Sequence, residues 1–337
     1  MQNRIQPHMP RPRAFTLIEL LVVISIIVLL IGILLPVLGA ARSAARGAVC
    51  LANLRSAGQG MHRYATDYDG ALAGPSTSGA ELTRSGRTAY RETAEYPVQN
   101  FDWISPTLGD SLGLPGEDGP KLAPLFNNEF RCPENEETYS GSAFGDLSMP
   151  VPAAATPLTV NSYSAINQFL MVWPADAAGR AALPPEAIFG PTWMQAVVEP
   201  PDTYRPHLDF IRNPVDKLNA LDGSRYVDRN TNEVTFNGAA VQFQGGNFGT
   251  FGPSMGRLIF NGTPYKRDTD ADIVRSERYA FRHDSNNGLN GMFFDGHAEA
   301  MTVADSQRVE HSYPSGSIVR NASRLYDTSV ANGDVIR

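Results

Sequence analysis

RAFTLIELLVVISIIVLLIGILLPVLGAARSAAR, Arg13 to Arg46, is the stretch whose reading decides the rest of the chain. From Leu17 to Leu38 it carries a single charge, Glu19. A hydrocarbon core about 30 Å thick needs about 20 consecutive apolar residues in a helix, and this run supplies them. A helix built from it is apolar on every side and belongs in lipid, with the remaining chain as its cargo.

Three readings of the run compete. In a cleavable secretory signal, basic residues precede an apolar core of about 7 to 15 residues and a small-residue cut site. Arg4, Arg11 and Arg13 fit the first requirement and LGAA near Ala40 the last, but the apolar run is too long. A plain membrane anchor accounts for the length and leaves Glu19 without a purpose. A carboxylate costs about 2.5 to 3.5 kcal/mol at mid-membrane on insertion scales, and less near an end. The third reading makes Glu19 functional.

RAFTLIELLVVISIIVLLIGILLP resembles the amino terminus of type IV prepilins and type II secretion pseudopilins. In that family a basic leader is removed just before a Phe, whose freed amino group is then methylated. The resemblance implies a cut after Ala14 by a prepilin peptidase, Phe15 as the first mature residue, and Glu19 as the fifth. The family usually has Gly where this chain has Ala14, which is still small enough for a peptidase pocket. A freed α-amino group has an ordinary pKa of about 7.7 to 8.0 and is cationic at neutral pH, while Glu19 is a carboxylate. The two are costly apart in lipid and cheaper as a pair. The resemblance therefore implies that Glu19 meets the Phe15 amine of a neighbouring subunit and sets assembly register. Pro36 falls where the family carries a helix-loosening proline, since proline removes one helical hydrogen bond and bends the axis.

Charge narrows the partners. Removing residues 1–14 takes away three of 28 basic residues and no acidic one, leaving 25 against 35 and a net charge of −10. That balance argues against nucleic-acid binding. Arg42 and Arg46 follow the helix much as Arg11 and Arg13 precede it, so charge alone does not orient it. The leader resemblance places the polar carboxyl-terminal part outside the cytoplasm, in the periplasm of a bacterium, on a single-pass inner-membrane protein.

After Pro36 the pattern becomes amphipathic. Val37, Ala41, Ala44, Ala48, Leu51, Leu54, Gly58, Met61 and Ala65 recur at spacings of three and four, the pattern of one buried helical face. The spacing predicts one helix from about Thr16 to Tyr64, roughly 75 Å long at 1.5 Å per residue. CLANLRSAGQGMHRYATDYDG, Cys50 to Gly70, is similar to a stretch of G-type major pseudopilins and of a large-headed pilin-like group with the same amino terminus. Asp67, Asp69 and Gly70 are turn residues that end the helix, and His62 reads as a polar residue on its surface.

Beyond Gly70 the chain is loop-rich. YPVQNFDWI, Tyr96 to Ile104, alternates enough to predict a short strand. Two cysteines do not make a zinc site by themselves, and there is no CxxC. Outside the cytoplasm Cys50 and Cys132 can form a disulfide, which would close 82 residues and contribute about 4 kcal/mol in the chain-entropy model. Two separate buried thiols are the alternative. VNSYSAINQFLMVW, Val160 to Trp173, reads as a strand, and PPEAIFGPTWMQAVVE as a short helix. IRNPVDKLNALDGSRYV resembles the large-headed group's next landmark, a Pro and spacer before a strand ending in Asp, here Pro214 and Asp222. Phe236 to Phe260 reads as extended or looped.

RYAFRHDSNNGLNGMFFDGHAEAMTV, Arg278 to Val303, places Asp295-Gly296 between apolar runs, a strong hairpin signal. The large-headed group carries a His, nine residues and then Asp-Gly here, the H-X9-DG landmark. In this chain eleven residues separate His283 from Asp295. The oxygen-rich run from Asp284 makes calcium the cofactor candidate, with Asp284, Asn286, Asn290 and Asp295 as ligands, since calcium takes six to eight oxygens in flexible geometry. DRNTNE, Asp228 to Glu233, begins like an EF-hand loop but lacks Gly at its sixth place and Glu at its twelfth. His283, His297 and Asp295 form a weaker set for a transition metal. There is no HExxH or GxxxxGK[ST], and no catalytic residues are assigned.

The expectation is an α+β, pilin-like protein with a long helix packed on a mostly antiparallel sheet bearing long loop insertions. Its parts are a leader at 1–14, a transmembrane helix at 15–38, an amphipathic continuation at 39–67 and a head at 68–337. The resemblance implies a non-enzymatic subunit of a pseudopilus or pilus-like filament, with like subunits, prepilin peptidase, the inner-membrane assembly machinery and the bilayer as partners. The contrasting expectation is a monomeric membrane-anchored surface or ligand-binding protein using the same targeting signal.

Overall fold

The computed structural model of the chain describes residues 17–73, 94–95, 97–98, 101–116, 118–127, 130–136, 138, 158–173, 195–224, 248–250, 278–283 and 288–337. The chain divides into two compact units, Met1–Ala45 and Arg46–Arg337. One helix, α1 (Leu17–Asp67), crosses that division and runs on through Pro36.

In the first unit α1 is exposed at every position from Leu17 to Ala45. Ser25 keeps its hydroxyl within the helix by donating to the Val22 carbonyl (2.8 Å). Among the described residues this is the one helix long and apolar enough to cross a membrane.

In the second unit α1 gains a buried face. Cys50, Leu54, Ala57, Met61, Tyr64 and Ala65 are buried, while Arg55, Ser56, Gln59 and Arg63 are exposed. Leu54, Gly58, Met61 and Ala65 of the expected stripe are buried, but the stripe is shorter than expected. Val37, Ala41, Ala44 and Ala48 are exposed, and the buried face begins at Cys50. Small residues in the earlier run match the period by chance, since alanine is at home in a helix on any face. Gly60 allows close packing, because a Cβ there would lie 2.7 Å from the Thr107 carbonyl oxygen. The helix ends one turn beyond Tyr64, where Asp69 and Gly70 take positive φ (52° and 83°).

The strand expected over Tyr96–Ile104 is absent from its described residues. Phe101 turns the chain at φ 61°. Buried Asp102 then accepts the backbone N–H groups of Val98 (2.9 Å), Ile104 (3.1 Å) and Ser105 (3.0 Å). Those bonds start α2 (Ile104–Leu108), and α3 (Asp118–Asn127) follows. An aspartate that can satisfy three amides outweighs a short alternating pattern.

The main sheet holds, among the described residues, β1 (Tyr163–Ile166), β3 (Leu218–Ser224), β4 (Gly249–Thr250), β5 (Arg278–Tyr279), β6 (Gly288–Phe293) and β7 (Ala298–Thr302). Its order is β4-β1-β3-β6-β7, with β5 paired to the end of β3. Every pairing is antiparallel except β1 with β4. The strand expected over Val160–Trp173 shortens to β1, because Asn167–Phe169 tightens into a 3₁₀ turn. β2 (Val198–Glu199) falls at the end of the segment read as a helix and pairs with β8 (Ile318–Val319) in a second small sheet.

The amphipathic half of α1 packs on the main sheet. A Cβ at Gly58 would meet Met292 Sδ at 3.0 Å, Asn53 donates to Tyr163 Oη (3.3 Å), and Arg55 donates to the Ala298 carbonyl (3.2 Å). The layout is α+β and pilin-like. Trp103, Trp173, Tyr163, Tyr313, Phe101, Phe126 and Phe169 fill the interior. Lys217, also buried, donates to the Glu310 and Arg337 carbonyls (2.7 and 2.6 Å) and so fastens the tail. Burial pulls its ammonium down to about 8 against the opposing charges of Glu310 and Asp216.

Candidate functional site

Two places carry chemistry. The first is the amino-terminal signal. Ala14 and Phe15 lie outside the described residues, while Glu19 and Pro36 are exposed on the first stretch of α1. Glu19 is the acidic residue of the first helical turn. That end of the helix has amides without helical partners and a partial positive charge, which favours a carboxylate there.

The second is a buried joint in the head. Cys50, from the second stretch of α1, is bonded to Cys132, and their Cα atoms are 5.1 Å apart. The loop bearing Cys132 is held by the segment that leads into β1. The Cys132 N–H donates to Ser162 Oγ (3.1 Å), and Asn135 Nδ2 donates to the Val160 carbonyl and to Ser162 Oγ (2.6 and 2.9 Å).

His283 sits against the disulfide, with Nε2 3.8 Å from Cys132 Sγ. Nδ1 faces Glu134 Oε2 at 2.9 Å, and Nε2 faces Asp222 Oδ2 at 3.0 Å. Asp222 is fully buried in β3, and its Oδ2 also accepts the Asn290 N–H from β6 (2.6 Å). Only an imidazolium can donate from both ring nitrogens. Burial presses His283 toward its neutral form. The hydrogen bond and charge of Asp222 and the charge of Glu134 overcome that, with Arg282 opposing, so its pKa stands above the usual value.

His283 and Asp295 do not come together. His283 bridges to Gly288 at the start of β6, whereas Asp295 lies in the turn beyond the end of that strand. Six residues of β-strand separate two such points by about 20 Å. The partners of His283 are Glu134 and Asp222, the latter marked by the sequence only as a strand residue.

Asp295 and Gly296 do turn the β6–β7 hairpin, with Gly296 at φ 90°. The turn is wider than a two-residue Asp-Gly type, because the Phe293 N–H donates to the His297 carbonyl (2.9 Å) and leaves Phe294, Asp295 and Gly296 between them. Asp295 Oδ1 accepts from the His297 backbone (3.1 Å) and meets His297 Nδ1 (2.5 Å). Burial tends to raise its carboxyl, and the bonds and charge of His297 bring it below the usual range. His297 stacks on Phe293.

The proposed calcium set is not assembled by its described members. Asn290 is buried in the middle of β6 and Asp295 is exposed in the turn. Asp284 and Asn286 lie outside the described residues, as does the fragment Asp228–Glu233. Glu134 and Asp222 were missed as site residues. The one available signal was Glu134's place two residues after Cys132.

Residues 9–35 match the prokaryotic N-terminal methylation motif. The match covers Ala14, Phe15 and Glu19 and ends just before Pro36. It assigns the amino terminus to the prepilin-type signal and supports membership of the pilin and pseudopilin class. No curated protein and no solved structure matches the chain.

Proposed function

We propose that this chain is a structural subunit of a type II secretion pseudopilus or a related type IV pilus-like filament, built on the large-headed H-X9-DG plan. A prepilin peptidase removes residues 1–14 and Phe15 is methylated. The first stretch of α1 holds the subunit in the inner membrane with its head in the periplasm. Assembly draws subunits into a helical array in which Glu19 of each pairs with the Phe15 amine of a neighbour. The observation that carries this reading is the methylation motif at 9–35 overlying the first stretch of α1, which is apolar, exposed from Leu17 to Ala45 and keeps a carboxylate in its first turn. An exposed apolar surface of that size calls for lipid or other helices.

Glu19→Ala tests it. The filament reading predicts normal membrane insertion and loss of cross-linkable oligomers. Unchanged oligomers, or a wild-type chain that is monomeric in membranes, favour a monomeric anchored surface protein.

A further inference from the structure

Cys50 Sγ, Cys132 Sγ and a His283 ring nitrogen all lie within 4.8 Å of one another, and all three residues are buried. Asp222 Oδ2 lies 3.0 Å from the same His283 Nε2 that faces Cys132 Sγ. Among the described residues, Asp222 Oδ1 is buried with no hydrogen-bond partner. We propose that, when the Cys50–Cys132 bond is open, this joint binds one zinc-like divalent ion through the two sulfurs, His283 Nε2 and the Asp222 carboxylate.

The donors fit that ion. Tetrahedral zinc takes sulfur at about 2.3 Å and nitrogen or oxygen at about 2.0 to 2.2 Å, so neighbouring S and N ligands stand about 3.6 Å apart and N and O about 3.4 Å. The protein holds them at 3.8 and 3.0 Å. A ligating histidine almost always gives its other N–H to a carboxylate or carbonyl, which fixes its tautomer. Glu134 already stands at Nδ1, 2.9 Å away. The Cys132 loop is also held by bonds that do not use the sulfurs, since the Cys132 N–H and Asn135 Nδ2 both donate to Ser162 Oγ.

The chemistry balances with a dithiol as reductant. The disulfide takes up two electrons and two protons and becomes two thiols, while the dithiol becomes its own disulfide. Metal binding then releases one proton from each cysteine and one from His283 Nε2, since the ligands must be thiolates and a neutral imidazole. The disulfide and the metal are therefore alternative closures of one joint between helix, loop and sheet. This holds whether or not the chain enters a filament.

The test uses the full chain in detergent, reduced without oxygen by a phosphine that is removed before cobalt(II) is added. We expect one cobalt per chain, with a thiolate charge-transfer band and the intense visible bands of a tetrahedral site, displaced by zinc. The disulfide form should show neither band. Cys132→Ser should abolish them, His283→Ala should change the visible bands, and Glu134→Gln should weaken cobalt binding about 10- to 100-fold with the bands retained. Circular dichroism follows the fold throughout. If reduction unfolds the head, restoration by zinc supports the site and failure of zinc to restore it overturns it. A reduced chain that stays folded without a thiolate band overturns the proposal. So does a band whose shape and affinity are the same in His283→Ala and Glu134→Gln, since two cysteines and water would then suffice.

Discussion

The two stretches of α1 share a backbone and differ in what surrounds them. From Leu17 to Ala45 every side chain is exposed, and as far as Leu38 residues Leu, Ile and Val fall on all faces. From Arg46 to Asp67 the buried residues recur at three and four, with Arg55, Ser56, Gln59 and Arg63 facing outward. The first stretch depends on a partner outside the head, lipid or like helices, and holds position through composition alone. The second depends on contacts that come from residues far along the chain: Cys132, Tyr163, Met292 and Ala298. A change in one stretch should therefore leave the other's property untouched.

The largest effect should come from the covalent tie. Cys132→Ala removes a bond that closes an 82-residue separation, and the chain-entropy model puts the loss at about 4 kcal/mol. Denaturant unfolding of the head in metal-free detergent measures it. A loss below about 1 kcal/mol would mean that packing alone seats the helix. Next comes a paired substitution. Leu54→Ala cuts into the buried stripe and should cost about 3 kcal/mol, within the range for buried leucines. Leu29→Ala, on the exposed stretch, should change head unfolding by no more than about 0.5 kcal/mol. Equal effects would abolish the distinction between the stretches.

Gly296→Ala places a Cβ at φ 90° in the hairpin beneath Gly58 and should cost about 1 to 2 kcal/mol. The smallest effect should be the pH dependence of the disulfide form. His283 is raised by Asp222 and Glu134, so its stabilisation is full below an ordinary histidine pKa of about 6.5 and fades as pH rises through the higher folded value. Lys217 acts in the other direction. Its lowered pKa makes stability rise between about 8 and the usual lysine value. The difference between wild type and His283→Gln isolates the histidine, and that difference should shrink with rising pH. A flat difference would show that His283 contributes packing alone.

Local signals were legible where one short window contains the physics. The apolar run, the helix stop at Asp69 and Gly70, and the Asp295-Gly296 hairpin all depend on neighbours a few residues away. The sheet order was not legible, since β1, β3 and β6 pair across long insertions and short strands carry little pattern. The joint was hidden for the same reason. Two cysteines could not suggest His283, 151 residues beyond Cys132, or Asp222, which looked like a strand residue. Alanines mimicked a buried stripe before Cys50, and three amides captured Asp102 where alternation suggested a strand.

The most direct test of the account is mass spectrometry of the amino-terminal peptide from native membranes. A mature chain beginning at N-methylated Phe15 is the predicted result. An intact leader starting at Met1, or a chain starting near Ala41, would contradict it.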